Sequence, residues 1–191
     1  MINLDAINKN NLVKEPFEYM CIDFIDTNFV KESFKEFQQT YKIEREFDEF
    51  KLTSPHPVQE FLDEYRDEII KRVNNVWDLD IVTCTQSTSL FDKTSELDTH
   101  NDFNYDGNFS IPARGIIYLN DEKVFGTNIY KEERGDPIEI GGHPGQLFLF
   151  KVSENSWHSA GLETKSDFRI TFPNILTIFS SSLTRTCKSL L

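Results

Sequence analysis

The spacing of apolar residues changes once along the chain, near Asp80, and this limits the possible folds more than any other feature. Before that point, Phe61, Tyr65, Ile69, Val73 and Trp77 recur every four residues in FLDEYRDEIIKRVNNVW, as they do along a helix face. Pro57, just ahead, suits a first-turn position. An earlier stripe of Phe29, Val30, Phe34 and Phe37 follows Asp26-Thr27-Asn28, which are good N-capping residues, and reads as a second helix whose phenylalanines pack into a core. The aromatic-rich FEYMCIDFI before it is strand-like. After Asp80 come short β-branched and aromatic runs: IVTCTQSTSLF, RGIIYLN, TNIYKE, PIEI, QLFLFK and DFRITF. Gly, Pro, Asn and Asp punctuate them.

Helices followed by six or more short strands do not alternate as a parallel α/β fold requires. The expected class is mainly β with supporting helices: a double-stranded β-helix (jelly roll) with the N-terminal helices packed on one sheet. At 191 residues the chain suits a single domain with one sizeable core. The expected organisation is a helical support segment over 1–80, a jelly-roll core over 81–180 and a tail over 181–191.

Thirty-two acidic side chains against twenty basic ones give a net charge of −12. That balance argues against nucleic acid as the main partner, because phosphate backbones are held by Lys and Arg. No apolar run is long enough to cross a bilayer, so no membrane role is expected. The first residues show no basic-then-apolar leader pattern. Cys21, Cys84 and Cys187 are odd in number and widely spaced, forming neither a zinc pair nor a disulfide framework. The expected location is the cytoplasm.

Only four histidines are present, and one lies in His100-Asn101-Asp102. At a strand end, alternation would put His100 and Asp102 on one face, where imidazole and carboxylate can grip one ion. His158, in SWHSAG just after QLFLFK, is placed to supply a third ligand. Two histidines and one carboxylate leave coordination positions open, as non-haem Fe(II) oxygenases require. Eleven residues further on, DFRITF alternates Arg169 and Thr171 with Phe168 and Ile170. A cation on an inward β face is costly unless it meets an anion, and a guanidinium clamps a carboxylate in bidentate fashion.

These elements together resemble the 2-oxoglutarate- and Fe(II)-dependent dioxygenases, in particular the prolyl-hydroxylase-like branch. His100-x-Asp102, RGIIYLND, Phe125-Gly126-Thr127, HPGQLFLF, His158 and Arg169-Ile-Thr171 occur in the expected order, and the resemblance spans most of the chain. It implies that His100, Asp102 and His158 bind Fe(II). It also implies that Arg169 pairs with the distal carboxylate of 2-oxoglutarate, aided by Thr171 and Tyr118. The implied reaction hydroxylates an unactivated C–H bond using O2, with succinate and CO2 as coproducts and ascorbate as an optional reductant. The implied substrate is a peptide or protein side chain of prolyl type, or a small metabolite. Related halogenases carry Gly or Ala where this chain has Asp102, which points to a hydroxylase. Two motifs depart from the family: FGT replaces a Gly-Gly-x-Thr run, and QSTSLFDKTSEL lacks a tyrosine found there in many prolyl hydroxylases.

Other readings stand beside these. His143 in GGHPGQ competes as third ligand but reads as a surface turn residue. His56, between two prolines, reads as structural. Asp98 offers a reversed Asp-x-His pairing, and Lys165 rivals Arg169 as the carboxylate partner. Tyr118 is either a cosubstrate contact or a core tyrosine with its hydroxyl satisfied. Candidate substrate contacts are Gln86 and Thr88, Asn104, Tyr105 and Asn108, Asn128 and Tyr130, with Trp157 at the barrel mouth. A metal-dependent hydrolase using the same ligands and a catalytically silent jelly-roll binding module are the rival functions.

Overall fold

The computed structural model describes residues 2–40, 43–46, 49–52, 57–84, 89–92, 98–103, 111–160 and 168–172; for 37–40, 43–46, 49–52, 57, 59, 89–92 and 168–172 it describes only the backbone. In chain order the elements are β1 (Tyr19–Asp23), α1 (Thr27–Thr40), β2 (Ile43–Glu46), β3 (Glu49–Leu52), α2 (Pro57–Asp63), α3 (Arg66–Trp77), β4 (Ser89–Asp92), β5 (Ala113–Tyr118), β6 (Thr127–Ile129), β7 (Ile138–Ile140), β8 (Gln146–Lys151), β9 (His158–Ala160) and β10 (Phe168–Phe172). Among the described residues, no helix is long and apolar enough to cross a membrane.

Asp26 caps α1 as expected, its Oδ1 accepting from the backbone N–H groups of Asn28 (3.0 Å) and Phe29 (3.1 Å). Pro57 opens α2. The expected single helix through Trp77 is instead two helices, α2 and α3, separated at Glu64–Tyr65. The reason is geometric. A stripe repeating every four residues drifts about 40° per step around a helix of 3.6 residues per turn, so one straight helix cannot keep all five apolar residues inward. The break resets the face, and Ile69, Val73 and Trp77 are buried.

Among the described residues, all paired strands are antiparallel. They form a seven-stranded sheet in the order β1-β8-β5-β10-β4-β3-β2 and a three-stranded sheet in the order β7-β6-β9. From β4 onward the chain passes between the two. β4 and β5 lie in the large sheet, β6 and β7 in the small, β8 in the large, β9 in the small and β10 in the large. Besides its helices, the 1–80 segment supplies strands to the large sheet, the first of them within the strand-like FEYMCIDFI. It contributes β1 at one edge of the large sheet and the β2–β3 hairpin at the other. Charged residues dominate the hairpin sequences IERE and EFKL, which hides the strand alternation.

Alternate residues of the large sheet enter different cores. Met20, Ile22, Ala113, Ile117, Leu119, Leu147 and Leu149 pack with Val30 and Phe34 of α1, Val58 and Leu62 of α2, and Ile69, Val73 and Trp77 of α3. Tyr19, Ile116, Tyr118, Phe148 and Phe150 pack with Val124 and Ile129 on the small-sheet side. Helices, large sheet and small sheet thus form three layers, with the N-terminal helices on one sheet as expected.

Candidate metal centre

β9 is a regular strand that pairs with β6, setting His158 opposite Ile129. His158 is 4% exposed, and its ring meets Phe150 edge-on at 4.8 Å between centroids. On its other side the backbone of His100 forms an isolated antiparallel bridge: His100 N–H to His158 O at 3.0 Å and His158 N–H to His100 O at 2.8 Å. This bridge sets two imidazoles 4.3 Å apart although they are distant in sequence.

Asp102 arrives by a different route from the expected strand alternation. It lies in a bend with φ of 59°, in the left-handed region that Asp tolerates better than most residues. The turn sends its carboxylate back between the histidines. Oδ1 lies 3.7 Å from His100 Nε2, and Oδ2 lies 3.4 Å from His158 Nε2. One ligand atom from each of the three residues falls within 4.8 Å of the other two.

The surroundings prepare these groups for a cation. His100 Nδ1 lies 2.7 Å from the Asp98 carbonyl, and His158 Nδ1 lies 2.8 Å from the Ser156 carbonyl. A carbonyl can only accept, so each Nδ1 carries the proton and each Nε2 presents its lone pair toward Asp102. Burial, and secondarily the neighbouring His100, pull His158 down to a pKa of about 4 against the opposing pull of Asp102. The imidazole is therefore neutral at pH 7, the form that binds metals. Asp102 Oδ2 is buried, with His158 Nε2 and the Arg114 guanidinium as its polar neighbours. A carboxylate with one oxygen near each Nε2 matches the donor set of a divalent ion, and this set leaves coordination positions open.

Arg114 is a neighbour that sequence reasoning did not single out. It stands on β5 with the parity of Ile116 and Tyr118, and its Nε lies 2.6 Å from Asp102 Oδ2. The signal was available: a cation alternating with apolar residues on an inward strand face needs an anion, as was argued for Arg169.

The other predicted residues fall as follows. Thr171 lies opposite Tyr118 in the β10–β5 register, and Arg169 lies opposite Phe91 in the β10–β4 register; the side chains of Arg169 and Thr171 lie outside the described residues. Tyr118 is fully buried, its hydroxyl 2.8 Å from Thr127 Oγ1 and donating to the Ile140 carbonyl at 3.1 Å. Gly141 makes room for that ring, since a Cβ there would lie 2.3 Å from Tyr118 Cε2. Asn128 lies opposite Ser159, and Tyr130 hydrogen bonds to Ser159 Oγ at 2.8 Å, both on the β6–β9 side of the centre. Trp157 is half-buried, and its carbonyl accepts from Tyr130 N–H. His143 lies on an exposed turn and is not among the three clustered ligands, as expected. Asp98 contributes its carbonyl and is not among them either. Gln86, Thr88, Asn104, Tyr105, Asn108, His56 and Lys165 lie outside the described residues. A groove of about 860 Å³ lined by Asp23, Asp121 and His143 shares no residue with the centre. Burial pushes the Cys21 and Cys84 thiols up to about 11, leaving neither activated as a nucleophile.

No protein-family model matches the chain, and no curated protein matches it. Solved structures do. A prolyl-4-hydroxylase from Pseudomonas putida superposes with a TM-score of 0.61 at 14% identity, over 85% of this chain and 91% of that one. A prolyl hydroxylase from Trichoplax adhaerens, in complex with a hypoxia inducible factor oxygen degradation domain peptide fragment, gives 0.62 at 13% identity, over 97% and 90%. At such identities the likeness is one of fold: the chain has the fold of these prolyl hydroxylases, and within it His100, Asp102 and His158 form a candidate three-ligand metal site.

Proposed function

We propose that the chain is an Fe(II)- and 2-oxoglutarate-dependent dioxygenase that hydroxylates an unactivated C–H bond. The observation that carries this reading is the convergence of His100, Asp102 and His158, with both Nε2 atoms turned to one carboxylate inside a prolyl-hydroxylase-like fold. Strands that pass between a large and a small sheet support the double-stranded β-helix version of that fold.

In this reading His100, Asp102 and His158 hold the iron. When bound, iron with 2-oxoglutarate and O2 supplies the oxidising chemistry, yielding succinate and CO2, with ascorbate as an optional reductant. Asp102 cancels one positive charge of the ion, and its αL turn keeps the carboxylate between the imidazoles. Arg169 receives the distal carboxylate of 2-oxoglutarate, with Thr171 beside it. The register opposite Tyr118 supports a shared carboxylate site. For Tyr118 itself to join, its hydroxyl must exchange one of its bonds to Thr127 and Ile140. The packed face of Phe148 and Phe150 keeps water from the buried side of His158.

The proposed substrate is a peptide or protein side chain. The peptide complex of the Trichoplax relative supports this, as does Phe103, which is 49% exposed immediately beside Asp102. A small metabolite is the alternative, and incubation with peptide and metabolite pools separates the two by which pool gains the mass of one oxygen. The central test is anaerobic addition of Fe(II) and 2-oxoglutarate. A weak visible charge-transfer band is expected, and its absence from folded protein would overturn the proposal.

A further inference from the structure

Asp102 ligates from a conformation that costs energy, so something must hold it there. A non-glycine residue at positive φ persists only where its surroundings over-determine it. Within the turn, Asn101 Oδ1 accepts from Phe103 N–H at 3.1 Å, closing a side-chain turn over Asp102. From outside, the 153–156 turn ahead of β9 grips Asn101, the residue before Asp102. Asn101 Nδ2 donates to the Glu154 carbonyl at 3.0 Å, and the Ser156 hydroxyl lies 2.8 Å from the Asn101 carbonyl.

Ser156 is fully buried. Its Oγ also accepts from Ser153 N–H at 3.0 Å, which holds the oxygen in place, and its single proton is shared between the Asn101 and Ser153 carbonyls, each 2.8 Å away. The Asn101 carbonyl is part of the peptide plane that leads into Asp102. Fixing that plane fixes the axis about which the 59° φ aims the carboxylate. The main-chain carbonyl of the same serine holds His158 Nδ1. One residue that is no ligand thus touches both arms of the centre, through its side chain on the Asp102 arm and its backbone on the His158 arm.

We infer that Ser156 is the positioning residue of the metal centre: its buried hydroxyl holds Asp102 in the ligating pose and so sets the affinity for a divalent ion. This rests on the proposed metal-binding function. Outer partners of metal ligands typically contribute 10- to 100-fold in affinity. Because Ser156→Ala removes the hydroxyl and keeps the carbonyl, it acts on Asp102 and leaves the His158 tautomer alone.

The test is a Co(II) titration of the whole chain, followed by d–d absorption, which reports coordination geometry as well as occupancy. Ser156→Ala is expected to bind Co(II) at least about 10-fold more weakly, with an altered band shape. Ser156→Thr, which retains the hydroxyl, is expected to recover the wild-type band. Ser156→Cys has nearly the size of serine but donates weakly, and is expected to weaken binding even if the alanine variant fails to fold. Wild-type affinity and band shape in a folded alanine or cysteine variant would overturn the inference while leaving the metal site standing. Failure of the wild-type protein to bind Co(II) in a His158-dependent way would overturn the metal reading itself.

Discussion

The two faces of the large sheet are built by alternate residues of the same strands, yet they differ in chemistry. The helix-facing side buries the apolar side chains of Met20, Ile22, Ala113, Ile117, Leu119, Leu147 and Leu149. The inter-sheet side carries Tyr19, Ile116, Tyr118, Phe148 and Phe150, together with Arg114, whose side chain reaches Asp102. Aliphatic side chains interdigitate closely with helices and yield stability through burial. Aromatic rings with polar tips leave hydrogen-bonding groups where a polar ligand can meet them. The pleat lets one strand serve both purposes, and substitutions one residue apart should separate them.

The sharpest separation comes from His158→Ala. Metal binding and succinate formation should be lost outright, while the helix layer still unfolds cooperatively in urea; residual turnover at the wild-type rate would mean the ligand assignment is wrong. Leu149→Ala, on the other face, should cost about 2–5 kcal/mol in denaturant melts by opening a cavity. Its folded fraction should bind Co(II) as the wild type does. A loss of affinity there would show that the two faces are coupled.

Arg114→Gln tests the polar side directly. Removing one partner of a buried ion pair strands the other charge, at a cost of about 3 kcal/mol in the metal-free protein. A divalent ion can replace the lost counter-charge on Asp102, so added Co(II) should raise the melting temperature more for Arg114→Gln than for the wild type. Equal increments would argue that the pair plays no part in the centre.

The metal-free protein should also lose stability in acid. His158 is depressed in the folded state to about 4 from an unfolded value near 6.5. Between those values the unfolded chain binds the extra proton, so the contribution of neutral His158 is complete above pH 6.5 and declines as pH falls toward 4. Urea midpoints of the wild type minus those of His158→Gln should follow that curve, and a flat difference would contradict it. The smallest effect is expected from Tyr118→Phe: about 1 kcal/mol for its lost hydrogen bonds. If Tyr118 is only a packed core residue, the 2-oxoglutarate requirement stays constant; if it touches the cosubstrate, that requirement rises.

Features repeated at a helical or strand period were legible along the chain. The α1 cap at Asp26, the buried face of α3, and strands β5, β8 and β10 follow from local periodicity, because which side faces inward depends on nearby residues. The β2–β3 hairpin was not legible, because charges interrupt its alternation and its place at a sheet edge comes from pairing with β4. Arg114 was missed although it stands in plain view in RGIIYLN, because its meaning depends on an anion across the core.

The identity of the three candidate ligands was readable from residue type and order: imidazole and carboxylate are among the side chains that bind such an ion, and few of the histidines had suitable neighbours. How they meet was not. Alternation predicted one shared strand face for His100 and Asp102, whereas the chain uses a left-handed turn pinned by Asn101 and Ser156, and a backbone bridge to His158. Local sequence sets which groups are available and which face they favour, through sterics and hydrophobic period. Only folding brings residues 102, 114 and 158 together, because contacts between distant segments depend on how whole layers pack.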